Sequence, residues 1–323
     1  MKYALSLLMT IAVLFQCSSQ SEKLIRVKLI DNIEQTPIYP RLTITDEVET
    51  KWKPEYEYID NIEMNWITYL SDGLKVGGLM VKPKEPGNYP CIIYNRGGNR
   101  NFGQLLVAHA ALTLGELANE GYVVIASNYR GNGGRGEGME QFGGDDVNDV
   151  INLIDVLKEV EGADTDKIGM YGWSRGGMMT YIALTQTDQI DAACVGGAPS
   201  DLTVIDRPEM ESKVYAELIP NYAENKDAEL KKRSAVYWAD KFSKDVPILI
   251  LHGNSDWRVK STNSLNMAIE FEKFRVPYRL KIFEGGDHGL SKHKAEMNKE
   301  VFDWFRRFLK EGEAIPDMEF HGR

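Results

Sequence analysis

The segment Gly-Trp-Ser-Arg-Gly-Gly at residues 172–177 contains the spacing Gly-x-Ser-x-Gly, in which a serine hydroxyl can act as a nucleophile. The spacing alone occurs by chance, but here it follows an apolar run, Ile168 to Tyr171, and precedes a helical pattern that begins near Arg175. Residues without a Cβ on both sides of a serine permit a sharp strand-to-helix reversal, which exposes the Oγ at a helix N-terminus. The segment therefore predicts Ser174 as a nucleophile. The alternative is a glycine-rich turn that only packs a helix against a sheet.

A serine nucleophile requires a general base at neutral pH, and the sequence offers five histidines. His288 follows the strand-like run Tyr278 to Phe283 in a glycine-containing loop, from which an imidazole can reach the serine. His252 also ends a predicted strand, but we interpret it as a structural histidine. The remaining three lie in a predicted helix or in polar segments: His109, His293 and His321. We therefore predict His288 as the base.

The imidazole in turn needs a carboxylate that fixes its tautomer and stabilises its charged form. Asp256 falls just after the strand-like run Pro247 to Leu251 and is the predicted acid. Asp287 is an alternative, although its position next to His288 makes a bond to that imidazole awkward. Three further acids should cap and solvate the start of a helix: Asp145, Asp146 and Asp149.

Acyl transfer at such a serine also requires donors for the developing oxyanion. The backbone N–H of Arg175 is the first predicted donor. The second should come from Gly97 or Gly98, after the strand-like run Tyr89 to Tyr94, unless these glycines form a plain turn. The glycine-rich run 131–138 is not followed by Gly-Lys-Ser/Thr, so we interpret it as a loop that borders the pocket and not as a phosphate site.

Strand-like and helical patterns alternate from residue 63 onward, which predicts an α/β fold with a mostly parallel sheet and helices on both faces. Ligands bind at the carboxyl ends of such strands, where the predicted catalytic residues fall. The chain order Ser174, Asp256, His288 is that of the α/β-hydrolase fold. Residues 199–245 break the alternation and are expected to form a helical lid. We predict an N-terminal arm over 21–62, the catalytic domain over 63–312 and a tail over 313–323.

Composition narrows the classes of partner. Lys plus Arg number 38 against 48 for Asp plus Glu, and the resulting net charge of −10 disfavours nucleic acid. Nothing in the sequence indicates a metal site or an organic cofactor, and we expect neither. Cys91 and Cys194 lie in apolar runs and are predicted to be buried free thiols. Oligomeric state is not readable from the sequence.

The first 20 residues are typical of a signal peptide, with Lys2 before an apolar stretch from Tyr3 to Phe15. The residues Leu-Phe-Gln-Cys at 14–17 resemble a bacterial lipoprotein cleavage box, in which Cys17 is acylated. We therefore expect an exported protein: a periplasmic or outer-membrane-anchored lipoprotein attached through Cys17, or otherwise a secreted protein.

Together these motifs resemble the catalytic domain of the prolyl oligopeptidase family over residues 63–310. The resemblance rests on short segments that follow or precede predicted strands: Ser-Asp-Gly at 71–73, Gly97-Gly98, Asn-Tyr-Arg-Gly at 128–131, Asp-Thr-Asp-Lys-Ile-Gly at 164–169, Gly-Trp-Ser at 172–174, His252-Gly253 and His288-Gly289. It implies Ser174 as nucleophile, Asp256 as acid and His288 as base of a serine hydrolase.

Two departures from the family pattern affect the expected substrate. Nothing before residue 63 is long enough for the β-propeller of the well-known peptidases, and Arg96 stands where the family often has His or Tyr. We interpret the protein as a serine peptidase for short peptides. The alternatives are a carboxylesterase for small acylated substrates such as acylated sugars, and a non-catalytic surface binding protein. Tyrosines and Trp238 of the lid are expected to form an aromatic wall.

Overall fold

A nine-stranded β-sheet lies at the centre of the computed structural model, which describes residues 22–134 and 136–322. The sheet order is β1-β4-β5-β7-β6-β8-β9-β10-β11, and β2 pairs with β3 in a separate small sheet. The strands are β1 Leu24–Leu29, β2 Thr43–Thr45, β3 Thr50–Trp52, β4 Ile62–Ser71, β5 Leu74–Pro83, β6 Tyr89–Asn95, β7 Val123–Ser127, β8 Ala163–Trp173, β9 Ala192–Gly196, β10 Ile248–Gly253 and β11 Tyr278–Phe283.

The six strands from β7 to β11 in this order pair in parallel, whereas β1, β4 and β5 form an antiparallel edge that joins them at β7. The predicted mostly parallel sheet is therefore confirmed. Parallel pairing places the carboxyl ends of β6, β8, β10 and β11 at one edge of the sheet. The loops that hold the predicted site residues follow these four ends.

Helices cover both faces of the sheet. The α-helices are α1 Tyr39–Leu42, α2 Gly115–Asn119, α3 Asn148–Ile151, α4 Leu153–Leu157, α5 Arg175–Leu184, α6 Pro208–Met210, α7 Ala216–Leu218, α8 Tyr222–Lys232, α9 Thr262–Phe274 and α10 Lys294–Phe305. Short 3-10 helices span Ile33–Gln35, Pro54–Asn61, Asp145–Val147, Ala235–Tyr237, Ala239–Lys241 and Ser291–His293, and π-helical turns span His109–Leu114, Glu211–Tyr215 and Arg306–Lys310.

The central strands β6, β7, β9 and β10 are buried on both sides, which explains their nearly continuous apolar sequences. In β10, Ile248 and Ile250 belong to one core cluster and Leu249 and Leu251 to the other, because successive side chains point to opposite faces. The first cluster packs against α3, α4, α5 and α9, and the second packs against α2 and α10. The sheet is thus held rigidly between two helical layers.

The arm and the lid differ in how they join this framework. From the arm, β1 pairs antiparallel with β4 and extends the main sheet. The insertion 199–245 connects β9 to β10 and is helical, as predicted, with its apolar side chains packed into the first core cluster. The glycine-rich loop lies against the start of β5, where Glu137 N–H donates to Lys75 O at 2.7 Å. None of its described residues lines the cleft, so its predicted place at the pocket is wrong.

The three acids predicted to cap and solvate a helix have different environments. Asp145 is exposed, but Asp146 and Asp149 are completely buried. Asp149 accepts hydrogen bonds from the Arg130 side chain and from the Arg130 N–H at 2.7 Å. The prediction is wrong for Asp146 and Asp149 because each neutralises a buried arginine instead of facing solvent.

The buried pair Arg130–Asp149 should therefore contribute to stability. Replacing Asp149 with Ala leaves a buried guanidinium with only the half-exposed Asp72 as an anionic partner. We expect the free energy of unfolding to fall by about 3 kcal/mol, as is typical of a broken buried pair. Urea unfolding followed by tryptophan fluorescence measures this, with Asp145→Ala as the control, expected within about 0.5 kcal/mol of the unsubstituted protein. Equal stability of the two variants would contradict the assignment.

Candidate active site

Ser174 occupies a sharp reversal between β8, which ends at Trp173, and α5, which begins at Arg175. Its backbone angles are φ 58° and ψ −125°, a strained conformation for a residue with a side chain. A Cβ on Gly172 would lie 2.1 Å from Gly176 O, and one on Gly176 would lie 1.9 Å from Asn95 O. Both positions therefore require glycine, which explains the Gly-x-Ser-x-Gly spacing.

The three side chains predicted to act together are in direct contact. His288 Nε2 lies 2.9 Å from Ser174 Oγ, and His288 Nδ1 lies 2.6 Å from Asp256 Oδ2. Each residue follows a different parallel strand, β8, β10 or β11. Trp173 Nε1–H donates to His288 O at 2.7 Å and so attaches the histidine loop to the reversal at Ser174. The arrangement gives the serine a hydrogen-bonded base and gives the base a carboxylate.

Asp256 is held as an anion by its hydrogen bonds. The N–H groups of Arg258 and Val259 donate to its Oδ1 at 2.8 and 3.0 Å. Burial alone would raise the pKa of Asp256, but the bonds from His252, His288 and Val259 N–H outweigh burial and hold that pKa well below its usual range. The carboxylate is therefore charged whenever His288 needs a counter-ion.

His252 is the structural histidine that the sequence predicted, but it also contacts the site. Its ring is fully buried, with Nδ1 2.6 Å from Ser264 Oγ and Nε2–H donating to Val259 O at 2.9 Å. The same Nε2 lies 3.3 Å from Asp256 Oδ2. His252 thus contacts the Asp256 loop at Val259 and at Asp256 itself. Its position in the sequence did not indicate this contact.

The other candidates lie elsewhere, as predicted. Asp287 accepts hydrogen bonds from the N–H and Oγ of Ser291, and Asp256 is the carboxylate that contacts His288. The remaining histidines have local backbone partners: Leu106 for His109, Glu284 for His293 and Glu319 for His321.

The two glycines after β6 lie beside the serine. A Cβ on Gly97 would lie 3.0 Å from Trp173 O and 3.2 Å from Ser174 Cβ, so a side chain there would crowd the serine. Gly98, at φ 75°, lines the cleft together with Ser174, Arg175 and His288. The structure therefore brings together all the residues predicted for an oxyanion site.

Two buried arginine side chains hold the segment 96–103, here called the oxyanion loop. Arg175 stacks between the rings of Tyr129 and Phe142, with its guanidinium carbon 4.8 and 4.7 Å from their centroids. It forms ion pairs with Glu140 and Asp146 and donates from Nη1 to Gly98 O at 3.1 Å.

Arg96 stacks on Tyr129 as well, at 4.8 Å, and Tyr129 Oη–H donates to Arg96 O at 2.8 Å. The Arg96 guanidinium donates to four backbone carbonyls, those of Gly97, Arg100, Phe102 and Asn128. Sequence reasoning missed these roles. The sequence feature that could have indicated the role of Arg96 is its charge, because the family often has His or Tyr at this position.

The cleft above Ser174 has a volume of about 260 Å³ and lies between the oxyanion loop, the Asp256 loop and the lid. Its aromatic lining comes from Phe102, Phe142, Tyr215 and Trp257. Of the lid aromatics in the described chain, Tyr215 lines the cleft, whereas Tyr222, Tyr237 and Trp238 do not. Trp238 instead stacks on Phe242, with centroids 5.6 Å apart, so the predicted aromatic wall is confirmed for Tyr215 and wrong for Tyr222, Tyr237 and Trp238.

Within residues 22–134 and 136–322, His, Cys, Asp and Glu side chains form no cluster of three or more suited to a metal ion. Over the same ranges, no helix combines the length and the apolar character of a membrane span. Cys91 and Cys194 are buried free thiols, as predicted, and burial raises the pKa of each. The predicted signal segment and Cys17 lie outside the described residues.

The model of the prolyl oligopeptidase family matches residues 109–312. An uncharacterised peptidase of Bacillus subtilis, YtmA, is 28% identical over 76% of this chain and 94% of its own length. Dipeptidyl-peptidase 5 of Porphyromonas gingivalis is 26% identical over 77% of this chain. The solved structure of the Pyrococcus horikoshii acylaminoacyl peptidase covers 85% of this chain at 25% identity, with a TM-score of 0.68.

The match spans 38% of the dipeptidyl peptidase and 47% of the acylaminoacyl peptidase, so it covers under half of each of these longer chains. The similarity to the acylaminoacyl peptidase and the mostly parallel sheet between two helical layers confirm the predicted α/β-hydrolase fold. The family model covers well over half of the sequence. The chain therefore belongs to the prolyl oligopeptidase family, whose named relatives here are peptidases.

Proposed function

We propose that this protein is a serine peptidase that cleaves short peptides through an acyl-enzyme. Ser174 is the nucleophile, His288 the general base and Asp256 the acid. The observation that carries the proposal is the continuous chain of hydrogen bonds from Ser174 Oγ through His288 to Asp256, with distances of 2.9 and 2.6 Å. It supplies both the proton acceptor and the charge compensation that a serine nucleophile needs.

The reaction follows from these positions. Ser174 Oγ attacks the scissile carbonyl carbon while His288 Nε2 takes its proton, and the resulting oxyanion accepts hydrogen bonds from the N–H groups of Arg175 and Gly98. The tetrahedral intermediate collapses with breakage of the C–N bond, and His288 gives its proton to the leaving amine. Water then attacks the acyl ester with His288 as base, which releases the acid and restores Ser174.

The cleft favours a short substrate. Its volume of about 260 Å³ lies just below the roughly 300–1,000 Å³ that pockets for small molecules occupy. The lid covers one side of this space with Leu202, Met210 and Tyr215, which are apolar or aromatic. A few residues of an extended peptide fit there more readily than a folded protein.

A fluorophosphonate probe tests the assignment of the nucleophile. We expect the probe to label the folded protein at Ser174, and Ser174→Ala to abolish labelling and to lower kcat by about 10⁶-fold. Ser255→Ala is the matched control, since Ser255 is an exposed serine in the loop that precedes Asp256. Undiminished labelling of Ser174→Ala would refute Ser174 as the nucleophile, and no labelling of the unsubstituted protein would refute the catalytic proposal and favour a binding protein.

The type of bond cleaved is tested by comparing peptidyl p-nitroanilides with p-nitrophenyl esters of short acyl groups. We expect measurable turnover of the amides, because His288 can protonate the poor amine leaving group. Both activities should disappear in Ser174→Ala. Cleavage of esters with no detectable amide turnover would show that the protein is a carboxylesterase, while leaving the catalytic triad intact.

The charge of Asp256 should influence both activity and acid stability. Its pKa is lower in the folded than in the unfolded protein, so its stabilising effect is complete above about pH 4 and is lost as the pH falls toward the folded pKa. We expect Asp256→Asn to lower kcat by about 10⁴-fold. At pH 6 it should also lower the free energy of unfolding by about 1.5–3 kcal/mol, the value of a charge-assisted hydrogen bond.

Urea titrations at pH 6 and pH 3 measure the second effect. The difference between Asp256→Asn and the unsubstituted protein should shrink at pH 3, whereas the exposed Asp145→Asn should show no such change. A difference that is the same at both pH values would show that the Asp256 charge does not stabilise the folded state.

A further inference from the structure

Arg96 is a buried arginine whose guanidinium contacts carbonyl oxygens and not a carboxylate. Its exposed fraction is 1%, and its donors reach the carbonyls of Gly97, Arg100, Phe102 and Asn128 at 2.8 to 3.3 Å. In the described part of the chain, no carboxylate is hydrogen-bonded to it, in contrast to Arg175. Burial of a cation without a directly paired anion is costly, and a fold that retains one suggests a function for the charge.

The bond from Arg96 Nη1 to Gly97 O, at 3.0 Å, fixes the orientation of the peptide between Gly97 and Gly98. The described residues contain no cis peptide bond, and in a trans peptide the C=O and N–H groups point in opposite directions. Because Gly97 O points toward the buried Arg96, the Gly98 N–H points away from it. Gly98 lines the cleft next to Ser174 and His288, so this direction leads toward the substrate carbonyl.

The next peptide of the oxyanion loop is held from the other side. Arg175 Nη1 donates to Gly98 O, and Glu140 joins the two ends of this arrangement by accepting from both Arg175 Nη1 and the Arg100 N–H. Both guanidinium groups contact the ring of Tyr129, each with its carbon 4.8 Å from the ring centroid. The carbonyls on both sides of the Gly98 Cα, Gly97 O and Gly98 O, are therefore each bonded to a buried arginine.

The two arginines differ in charge balance. Arg175 pairs directly with two carboxylates, those of Glu140 and Asp146, whereas Arg96 has no direct carboxylate partner and interacts with the same two acids only at longer range. Burial and the nearby Arg175 lower the pKa of Arg96 to about 10, so the group is still protonated at neutral pH. A cation bonded to Gly97 O polarises that peptide and makes the Gly98 N–H a stronger donor to an oxyanion.

We infer that Arg96 is a positioning residue of the oxyanion hole, which orients the Gly98 N–H toward the substrate carbonyl and strengthens it as a donor. The inference rests on the proposed function, because it concerns the transition state of acyl transfer. It assigns to this chain an internal guanidinium at a position where the family often has His or Tyr.

Arg96→Gln and Arg96→Lys test the inference with peptidyl p-nitroanilides and with a peptide aldehyde, which forms a reversible tetrahedral adduct with a serine. Arg96→Gln should lower kcat by about 10²–10³-fold, the effect of losing one oxyanion donor, with KM within about threefold of the unsubstituted enzyme. Binding of the aldehyde should weaken by the same factor as kcat. Arg96→Lys keeps the charge and should recover about tenfold of the lost kcat.

Arg233→Gln is the matched control, because Arg233 is also buried and donates to the carbonyls of Gln141 and Phe142. It should lower the midpoint of urea unfolding without the parallel loss in kcat and aldehyde binding. A kcat of folded Arg96→Gln within threefold of the unsubstituted enzyme would overturn the inference. A loss of activity in Arg96→Gln that appears only as a higher KM, with kcat unchanged, would also overturn the inference.

If Arg96→Gln does not fold, Arg96→Lys and Tyr129→Phe replace it. Tyr129→Phe keeps the ring that both arginines contact and removes the hydrogen bond to Arg96 O. Each should lower kcat and aldehyde affinity together by several-fold, and unchanged values in both would overturn the inference. Fluorophosphonate labelling of the unsubstituted enzyme separates the two proposals, since absent labelling refutes the catalytic function and slower labelling of Arg96 variants supports the positioning role.

Discussion

The close approach of the backbone at Gly176 to the end of β6 is the constraint on which the rest of the site depends. A side chain at Gly176 would overlap Asn95 O, and Thr180 closes the contact because its hydroxyl donates to Gly176 O and accepts from Asn95 Nδ2. The first turn of α5 is thereby locked against β6. Because Ser174 precedes that turn and the oxyanion loop follows β6, the proposed nucleophile and its proposed oxyanion donors are held in one rigid unit.

This unit has an electrostatic consequence. Arg175 is the first residue of α5, where the positive end of the helix dipole disfavours a cation. The carboxylates of Glu140 and Asp146 offset this unfavourable interaction, because they lie near the same helix end and pair with the Arg175 guanidinium. The pairing allows the Arg175 side chain to fold beneath the site while its N–H stays at the helix terminus. The glycine-rich sequence thus supplies the geometry, and the two acids make it compatible with an arginine after the nucleophile.

The sequence was sufficient for the parts of the structure that depend on local patterns. Ser174, Asp256 and His288 each come just after an apolar run, and parallel strands bring such positions to one edge without further information. Contacts between distant segments were not readable. Asp146 looked like a helix cap because its partner, Arg175, lies 29 residues further along the chain.

The failed expectations for the cleft have the same origin. Trp238 seemed suited to a binding wall because of its place in the insertion, but it packs on Phe242, whose ring also contacts Tyr181 and Phe271 in the core. The aromatic side chain that does lie next to the Asp256 loop is Trp257, which is 68% exposed and adjacent to the acid itself. Spacing along the chain predicts that an aromatic residue is present, but only the packing of the lid decides which ones face the substrate.

Hydrogen bonds and an ion pair connect the lid to the oxyanion loop, so the two sides of the cleft are joined directly. Arg100 in the oxyanion loop donates to Lys213 O at 3.1 Å and forms an ion pair with Glu217, both in the insertion. Its N–H donates to Glu140, the same carboxylate that pairs with Arg175. A displacement of the lid therefore acts on the peptide units that Arg96 and Arg175 hold in place. In this fold, the lid over the cleft and the proposed oxyanion donors share a single network of hydrogen bonds.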